Sequence, residues 1–220
     1  MSRNIAIDGP AGAGKSTIAK IVAKKLGYIY VDTGAMYRAM AYYLLQKKIP
    51  VTDTVAMSNA CMDADISIAY QNGEQVVLLN GENVNPYLRT EEVGNMASVS
   101  SVNPEVRKKL VELQQKLAAK ADVVMDGRDI GTCVLPQAEV KVYLTAGSDV
   151  RAKRRFDELV SKGQDADLNK IEADIIERDH RDMTREISPL KQAEDAVLVD
   201  SSYMTIEEVA EAILKLNAEK

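Results

Sequence analysis

The feature that most constrains the fold is a glycine-rich segment between a strand-like and a helix-like stretch. Residues 5–8 read IAID, residues 9–17 read GPAGAGKST, and residues 15–26 repeat apolar side chains at the spacing of one helical face. Gly27 follows as a typical helix stop. This order predicts backbone N–H groups that converge at the N-terminus of a helix. The segment is therefore expected to bind an anion, above all a phosphate.

The segment matches the pattern G-x-x-x-x-G-K-[ST] through Gly9, Gly14, Lys15 and Ser16. Glycines let the backbone turn around phosphate oxygens, the Lys15 ammonium faces the β- and γ-phosphates, and the Ser16 hydroxyl is a ligand for Mg²⁺. The pattern predicts a bound nucleoside triphosphate with Mg²⁺. The residues assigned to this phosphate loop are Gly9, Pro10, Ala11, Gly12, Ala13, Gly14, Lys15, Ser16 and Thr17.

Strand-like and helix-like stretches alternate along most of the chain. This alternation predicts an α/β fold, a P-loop NTPase-type parallel sheet flanked by helices. The further elements expected are strands at 28–31, 123–125, 140–144 and 196–199, a helix at 35–46, and a last helix whose start at Thr205 has a capping box with Glu208.

One segment departs from this alternation. Residues 65–84 read DISIAYQNGEQVVLLNGENV, and the pairs Asn72-Gly73 and Asn80-Gly81 separate strand-like runs. Asn-Gly between such runs is a strong hairpin signal, so we expect a small antiparallel sheet inserted into the α/β protein. A helix should follow, with Asn103 as its cap and Pro104 in its first turn.

Composition excludes several classes of function. The net charge of −5 makes a chain-wide basic surface for nucleic acid improbable, and no nucleic-acid partner is expected. The chain has one histidine, His180, and two distant cysteines, too few for the usual Cys/His zinc site. No apolar run reaches membrane-spanning length and none resembles a signal peptide, so we expect a cytoplasmic protein without membrane partners. With no heptad run, we expect a monomer.

A carboxylate and two arginines stand where strands end. Asp126 follows the strand at 123–125 and is expected to help hold Mg²⁺, directly or through a water. Arg38 follows the second strand and Arg128 the third. Ligands of open α/β sheets bind at the carboxyl ends of strands, so both arginines are candidates for substrate anions. Taken singly, each is better explained as a solvated surface arginine; their shared location makes the two explanations about equal.

Two clusters of arginines lie further along the chain. Arg151, Arg154 and Arg155 share helical spacing, and so do the residues of a second group, which are Arg178, Arg181, Asp182 and Arg185. Two interpretations stay open at this point. One is a salt-bridged surface helix. The other is a mobile lid whose arginines close over phosphates and exclude water.

The phosphate loop does not by itself identify a function, since switch GTPases, motor ATPases and small-molecule kinases share it. A guanine-binding N-K-x-D is missing; the nearest match, NKIE at 169–172, follows no strand. The number of arginines favours a kinase, which must hold two anions and neutralise the group in transfer. A nucleotide-binding switch or assembly ATPase is the alternative from another class.

Six stretches together resemble the bacterial cytidylate (CMP) kinases, of the nucleoside monophosphate kinase family. These are GPAGAGKST, DTGAMYR, RTEEVGNMASVSSVNPEVR, DGRDIGT, RRFDEL and ERDHRDMTR, in the family's order and over nearly the whole chain. The inserted antiparallel sheet is also a feature of bacterial members. The resemblance implies one kinase domain: a core of about 1–32, 101–150 and 190–220, a monophosphate-binding region of about 33–100 with its inserted sheet at about 63–88, and a lid of about 151–189.

The resemblance also implies the activity and the site. The expected reaction is ATP-dependent phosphorylation of CMP and dCMP, with Mg²⁺, by direct in-line transfer in pyrimidine metabolism. Cytosine would be contacted by Ser98, Arg107 and Asp129, and Thr33 stands where the family also has serine. The residues expected at CMP are Thr33, Tyr37, Arg38, Ser98, Arg107, Arg128, Asp129, Arg178, Asp182 and Arg185; those expected to be catalytic are Lys15, Arg38, Arg128, Arg154 and Arg185.

The arginines of the first cluster are expected at the other substrate. Arg154 would reach the transferring phosphoryl group of ATP, with Arg151 and Arg155 as further candidates. His180 is read as solvated lid surface. The alternative within the same class is another small-molecule kinase, acting on UMP, AMP or a non-nucleotide acid.

Overall fold

The structure, a computed structural model, describes residues 2–72 and 74–220. Strands and helices alternate as the sequence predicts. The strands are β1 (Asn4–Asp8), β2 (Ile29–Asp32), β3 (Ile66–Gln71), β4 (Glu74–Leu79), β5 (Glu82–Asn83), β6 (Val123–Gly127), β7 (Val140–Thr145) and β8 (Val197–Asp200). The helices are α1 (Lys15–Leu26), α2 (Thr33–Gln46), α3 (Thr54–Asp63), α4 (Glu91–Ser100), α5 (Pro104–Ala118), α6 (Ser148–Ser161), α7 (Leu168–Thr184) and α8 (Ile206–Ala218), with short 3₁₀ and π turns at Asn85–Tyr87 and Ile130–Val134.

The described residues form two compact units. The first contains the chain up to Tyr30 together with Ala121–Lys220, and the second contains Val31–Lys120. The five-stranded sheet has the order β2-β6-β1-β7-β8, and the three-stranded sheet has the order β3-β4-β5. The α/β fold class and the inserted antiparallel sheet are therefore confirmed.

The centre of the first unit is β1, which pairs in parallel with β6 and with β7. Ile5 and Ile7 are completely buried, since both faces of a parallel sheet are covered by helices. Their core includes apolar residues of α1 and α8, among them Ile18 and Ile213. In the register of the sheet, Asp8 lies opposite Gly127 and Ile7 opposite Asp126, so the carboxyl ends of β1 and β6, with Asp8 and Asp126, lie side by side.

Glycines determine how the chain leaves β1 and enters α1. A Cβ atom on Gly9 would lie 1.9 Å from the carbonyl oxygen of Leu144, so only glycine fits where the loop crosses β7. Gly14, with φ of 84°, is the N-cap of α1, and Gly27, with φ of 70°, ends the helix as predicted. The capping box of Thr205 and Glu208 at the start of α8 is also confirmed.

The second unit contains the inserted sheet. Asn80 and Gly81 have φ angles of 51° and 83°, as a two-residue type I′ turn between β4 and β5 requires. Asn72, with φ of 53°, begins the other predicted turn, whose Gly73 lies outside the described residues. Helix α5 begins at the Asn103 cap as predicted, and it packs against α2 and α3. Residues 104–118 therefore cluster with this unit, whereas the sequence-based division assigns them to the core.

Predicted boundaries differ from the observed ones by one or two residues. The helix predicted at 35–46 begins at Thr33, because the Asp32 side chain accepts a hydrogen bond from Ala35 N and caps it there. No helix within residues 2–72 and 74–220 is long and apolar enough to cross a membrane.

Candidate active site

The phosphate loop, Gly9–Thr17, leads from the end of β1 into α1 as the motif predicts. The Lys15 ammonium is buried and donates a hydrogen bond to Pro10 O at 2.7 Å. Burial, and after it the positive charge of Arg128, lower the pKa of Lys15 to about 7; Arg178 acts in the same direction. Two further cations thus lie close enough to Lys15 to act on its charge, an arrangement that suits a bound polyanion.

The two residues expected to hold a metal ion lie together. Ser16 Oγ donates to Asp126 Oδ2 at 2.9 Å, and Tyr30 OH donates to Asp126 Oδ1 at the same distance. A hydroxyl and a carboxylate at the mouth of a phosphate loop are the hard oxygen ligands that Mg²⁺ prefers. This pair therefore fits Mg²⁺, with the remaining positions left for phosphate and water oxygens. Residues 2–72 and 74–220 contain no group of three His, Cys, Asp or Glu side chains suited to a metal ion.

Asp8 has a role that the sequence does not indicate. Its two carboxylate oxygens accept hydrogen bonds from Ile130 N and Gly131 N, each at 2.7 Å. A Cβ atom on Gly131 would lie 3.2 Å from the Cδ of Lys141 and 3.4 Å from Asp8 Oδ2, so the glycine allows this close approach. Burial raises the pKa of Asp8 to about 6. Asp8 therefore anchors the loop that begins with Arg128.

Helix α7 lies beside this loop. Arg128 Nε donates to Asp182 Oδ2 at 2.8 Å. The Arg185 guanidinium lies 3.9 Å from Asp129 Oδ1 and donates through Nε to Ser188 O at 2.7 Å. Arg128, Asp129, Asp182 and Arg185, four of the expected CMP residues, are thus brought together in the first unit. They form two ion pairs, Arg128 with Asp182 and Arg185 with Asp129.

Some arginines of the two clusters lie on a salt-bridged surface, and the lid stays a prediction. Helix α7 ends at Thr184, so Arg185 is its C-cap and does not continue the helical face. Arg181 is exposed and pairs with Glu177, and Arg155 is exposed and pairs with Glu158, as in a salt-bridged surface. Arg178 is exposed, like the neighbouring His180, yet its charge acts on Lys15.

Arg151 and Arg154 make contacts that the spacing does not reveal. Arg151 is buried; it donates to Ala11 O in the phosphate loop and to Ala146 O, each at 2.9 Å, and pairs with Asp179 of α7 at 2.6 Å. It supports the backbone of the loop. The exposed Arg154 donates through Nη2 to Ser201 O at 2.7 Å.

In the second unit, Arg38 is held by the residue that caps its helix. Arg38 Nη2 lies 3.3 Å from Asp32 Oδ2. The buried Thr33 directly follows Asp32 in the chain. A Cβ atom on Gly34 would lie 3.2 Å both from Arg38 Nη1 and from Asp32 Oδ1. The segment DTGAMYR thus places a half-buried guanidinium at the start of α2.

The other expected residues of this unit also form a group. The Arg107 guanidinium lies over the Tyr37 ring, 5.8 Å from its centroid, and Arg107 Nη1 donates to Ser101 O at 3.3 Å. Ser101 Oγ in turn donates to the carbonyl oxygen of Ser98. Tyr37 and Arg107 therefore come together although they are 70 positions apart in the sequence, and the backbone of Ser98 is linked to Arg107 through Ser101.

A parallel sheet with the phosphate loop after its central strand, a serine–carboxylate pair and several buried or half-buried arginines define a P-loop kinase. A gluconokinase from Sinorhizobium meliloti agrees in fold: its structure has a TM-score of 0.50 at 15% identity and covers 99% of this chain and 93% of its own. An uncharacterized protein from Eubacterium ventriosum has a TM-score of 0.55 at 12% identity, with full coverage of both chains.

The chain belongs to the cytidylate kinase family, whose model matches residues 5–219. A cytidylate kinase of Caldicellulosiruptor saccharolyticus is 52% identical over 213 residues, covering 97% of this chain and 94% of the relative. A cytidylate kinase of Bacillus subtilis is 48% identical over 217 residues, covering 99% and 97%. The protein is therefore a kinase, and the expectation of a phosphotransferase is confirmed.

Proposed function

We propose that the protein transfers the γ-phosphoryl group of ATP to CMP and dCMP in one direct step, giving CDP or dCDP and ADP. Membership of the cytidylate kinase family supports the substrate class. The observation that carries the proposal is the buried Lys15 in the phosphate loop, on whose charge Arg128 and Arg178 act; a transferring phosphoryl group would be stabilised by this positive charge.

On the donor side, the phosphate loop binds ATP through its backbone N–H groups and Lys15. Ser16 and Asp126 would hold Mg²⁺, which supplies positive charge to the phosphates when bound. Arg151 stabilises the backbone conformation of the phosphate loop through its hydrogen bond to Ala11 O. Arg154 serves the ATP side from the lid at about 151–189, and leaves its Ser201 contact to do so.

On the acceptor side, the proposed CMP residues are the ones that the resemblance to the family implies. Arg38 and Arg128 bind the acceptor phosphate, together with Thr33 and Tyr37. Asp182, beside Arg178 and Arg185, accepts a hydrogen bond from the sugar 3′-hydroxyl. That hydroxyl is common to ribose and deoxyribose, so CMP and dCMP are both accepted.

The base is read by residues of opposite hydrogen-bonding character. Cytosine offers an amine donor beside two acceptors, N3 and O2. Arg107 donates to the acceptors, and Ser98 and Asp129 accept from the amine. Uracil presents a carbonyl where cytosine has its amine, and a carboxylate facing that oxygen loses its partner, so discrimination of about 1–3 kcal/mol per lost contact follows.

No side chain is required as a general base. The acceptor phosphate is already largely a dianion at neutral pH, since the second pKa of phosphate esters is about 6. His180 is exposed on α7 and takes no part in the proposed step. Catalysis rests on positioning of the two phosphates and on stabilisation of charge by Lys15 and the arginines.

The test is ADP formation by the purified protein with MgATP and one acceptor at a time. CMP, dCMP, UMP, AMP, GMP and shikimate are compared at equal concentration, with a sample lacking any acceptor. Fast turnover restricted to CMP and dCMP is expected. Equal rates without an acceptor would indicate the switch ATPase, and preference for a purine nucleotide or shikimate would indicate another small-molecule kinase.

The proposed working form is a monomer in the cytoplasm, acting on free nucleotides. Sequence supports the monomer through the lack of a heptad pattern. Light scattering at the enzyme concentrations of the assay measures the molar mass directly, and a mass of twice 24.1 kDa would overturn this part of the proposal.

A further inference from the structure

The inserted antiparallel sheet contacts the segment DTGAMYR through one glutamine. Gln75, half-buried on β4, accepts a hydrogen bond from Asp32 N at Oε1, at 2.8 Å, and donates one from Nε2 to Asp32 O, at 3.2 Å. The side-chain amide thus pairs with both backbone polar groups of one residue, as a neighbouring strand would. The backbone of Asp32 is fixed by this pair.

Asp32 in turn orients an arginine proposed to bind the acceptor phosphate. Its Oδ1 caps α2 through Ala35 N at 2.8 Å, and its carboxylate lies 3.3 Å from Arg38 Nη2. The Nε of Arg38 is buried without a hydrogen-bond partner among the described residues. Because Asp32 is the residue that holds this guanidinium, a shift of the Asp32 backbone would move Arg38 as well.

Gln75 is itself held from its other side. Asn85 Nδ2 donates to Gln75 O at 2.9 Å, and Asn85 Oδ1 accepts from Val77 N at 3.0 Å. The Asn85 amide therefore continues the hydrogen bonding of β4 beyond the short strand β5. On β3, Tyr70 pairs with Gln75 in the antiparallel register. Gln75 projects from a strand that is bonded along both edges.

We propose that Gln75 is a positioning residue through which the inserted sheet sets Asp32 and Arg38 for the phosphate of the acceptor nucleotide. The inserted sheet then affects binding of the phosphate of the acceptor nucleotide and not binding of its cytosine base. This inference rests on the proposed function, because it assigns Arg38 to the acceptor.

The test compares Gln75→Ala with the matched control Gln71→Ala, which removes an exposed glutamine from the neighbouring strand β3. Loss of two ordinary hydrogen bonds is expected to raise the KM for CMP about tenfold. The KM for ATP should stay near the wild-type value, the melting temperature should fall by about 3–6 °C, and Gln71→Ala should change none of them. A second variant, Gln75→Glu, keeps the acceptor for Asp32 N but turns a negatively charged oxygen that cannot donate toward the carbonyl oxygen of Asp32. It should raise the KM for CMP at least as much as Gln75→Ala does.

Two further measurements separate positioning from general weakening of the sheet. Cytidine, which lacks the phosphate, is used as a competitive inhibitor, and its inhibition constant should be equal in wild type and Gln75→Ala. In the Arg38→Lys background, Gln75→Ala should raise the KM for CMP less than about twofold, because the residue through which it acts is already altered.

The outcomes distinguish the two levels of the argument. If wild type does not phosphorylate CMP, the proposed function fails. If wild type is active and Gln75→Ala has the same KM for CMP, or loses cytidine and CMP affinity equally, or adds its full effect to Arg38→Lys, the inference about Gln75 fails and the function stands.

Discussion

Arg128 Nε lies 2.8 Å from Asp182 Oδ2, so the loop after β6 is joined to α7 by a charge-assisted hydrogen bond. The side chains of the pair are only 21% and 12% exposed. Asp182 thus has two tasks in the proposed mechanism, to orient Arg128 and to accept the sugar 3′-hydroxyl.

For Asp182→Asn we expect kcat/KM for CMP to fall about 10- to 100-fold, the effect of losing about 1.4–2.7 kcal/mol from a mostly buried charged pair. Steady-state kinetics with CMP, dCMP and 3′-deoxy-CMP measure it. Wild type should discriminate against 3′-deoxy-CMP, and the variant should discriminate much less.

Arg181→Gln is the matched control on the same helix, since Arg181 is exposed and pairs only with the exposed Glu177 among the contacts described for it. Its kinetics should equal those of wild type. If Asp182→Asn retained the full preference against 3′-deoxy-CMP, the sugar contact would be assigned to another residue.

Local signals in the sequence predicted the elements that depend on neighbours in the chain. The phosphate loop, the extent of α1, the Asn103 cap and the Thr205 capping box are all decided within a few residues, so the pattern alone suffices. The inserted sheet was predictable for the same reason. Its two-residue turn requires positive φ angles, which Asn80 and Gly81 adopt and few other residue types do.

Relationships between distant residues were not predictable. Asp8 accepts hydrogen bonds from backbone N–H groups 122 and 123 positions away, and no local sequence pattern predicts these contacts. Spacing placed Arg151 beside Arg154 and Arg155, yet burial separates them: Arg151 is 5% exposed and supports the phosphate loop. A helical repeat shows which residues share a face and leaves open what covers that face.

Asp129 provides a test of base reading. The residue is buried and lies 3.9 Å from the Arg185 guanidinium. In Asp129→Asn the amide can donate to the uracil carbonyl, so the ratio of kcat/KM for CMP to that for UMP should fall by about tenfold or more. The two values are measured in parallel on one enzyme preparation. Equal losses for both nucleotides would assign Asp129 to the architecture of the loop and not to the base.

Gly34 and Gly94 form a matched pair of helical glycines. A Cβ atom on Gly34 would press on Arg38 Nη1 and Asp32 Oδ1 at 3.2 Å, whereas a Cβ on Gly94 would meet nothing within 4 Å. Gly34→Ala should raise the KM for CMP several-fold with little change for ATP. Gly94→Ala should leave both KM values unchanged and stabilise the protein by about 0.5–1 kcal/mol through helix propensity. A normal KM for CMP in Gly34→Ala would show that the Asp32–Arg38 pair is not needed for acceptor binding.

The Arg151–Asp179 pair should contribute strongly to stability. Its side chains are 6% and 13% exposed, and Asp179→Ala would leave the Arg151 charge buried without its partner. We expect a loss of about 3–5 kcal/mol in the free energy of unfolding, measured by urea denaturation. Glu158→Ala is the control, since it breaks the exposed pair with Arg155 and should cost about 1 kcal/mol or less. Similar losses for both variants would contradict the distinction between them.

Asp8 makes stability depend on pH in an unusual direction for a carboxylate. Burial raises its pKa from 3.8 to about 6, against the hydrogen bonds from Gly131 N and Ile130 N; the Asp129 charge raises it further and the Lys15 charge lowers it. The folded state therefore holds the proton more tightly than the unfolded chain does. This contribution to stability is fully present below the unfolded pKa and is lost as pH rises through about 6.

Asp8→Asn removes this titration. The free energy of unfolding of wild type, minus that of Asp8→Asn, should fall by about 2 kcal/mol as pH rises from about 4 to about 7. Urea denaturation of both proteins across this range measures the difference. Asp195→Asn is the control of opposite sign when the range is extended below about pH 4. The hydrogen bond from Lys141 lowers the pKa of Asp195, so its contribution is constant from about pH 4 to about pH 7 and is lost as pH falls through that lowered pKa. A constant difference for Asp8→Asn over the whole range would show that Asp8 keeps an ordinary pKa despite its burial.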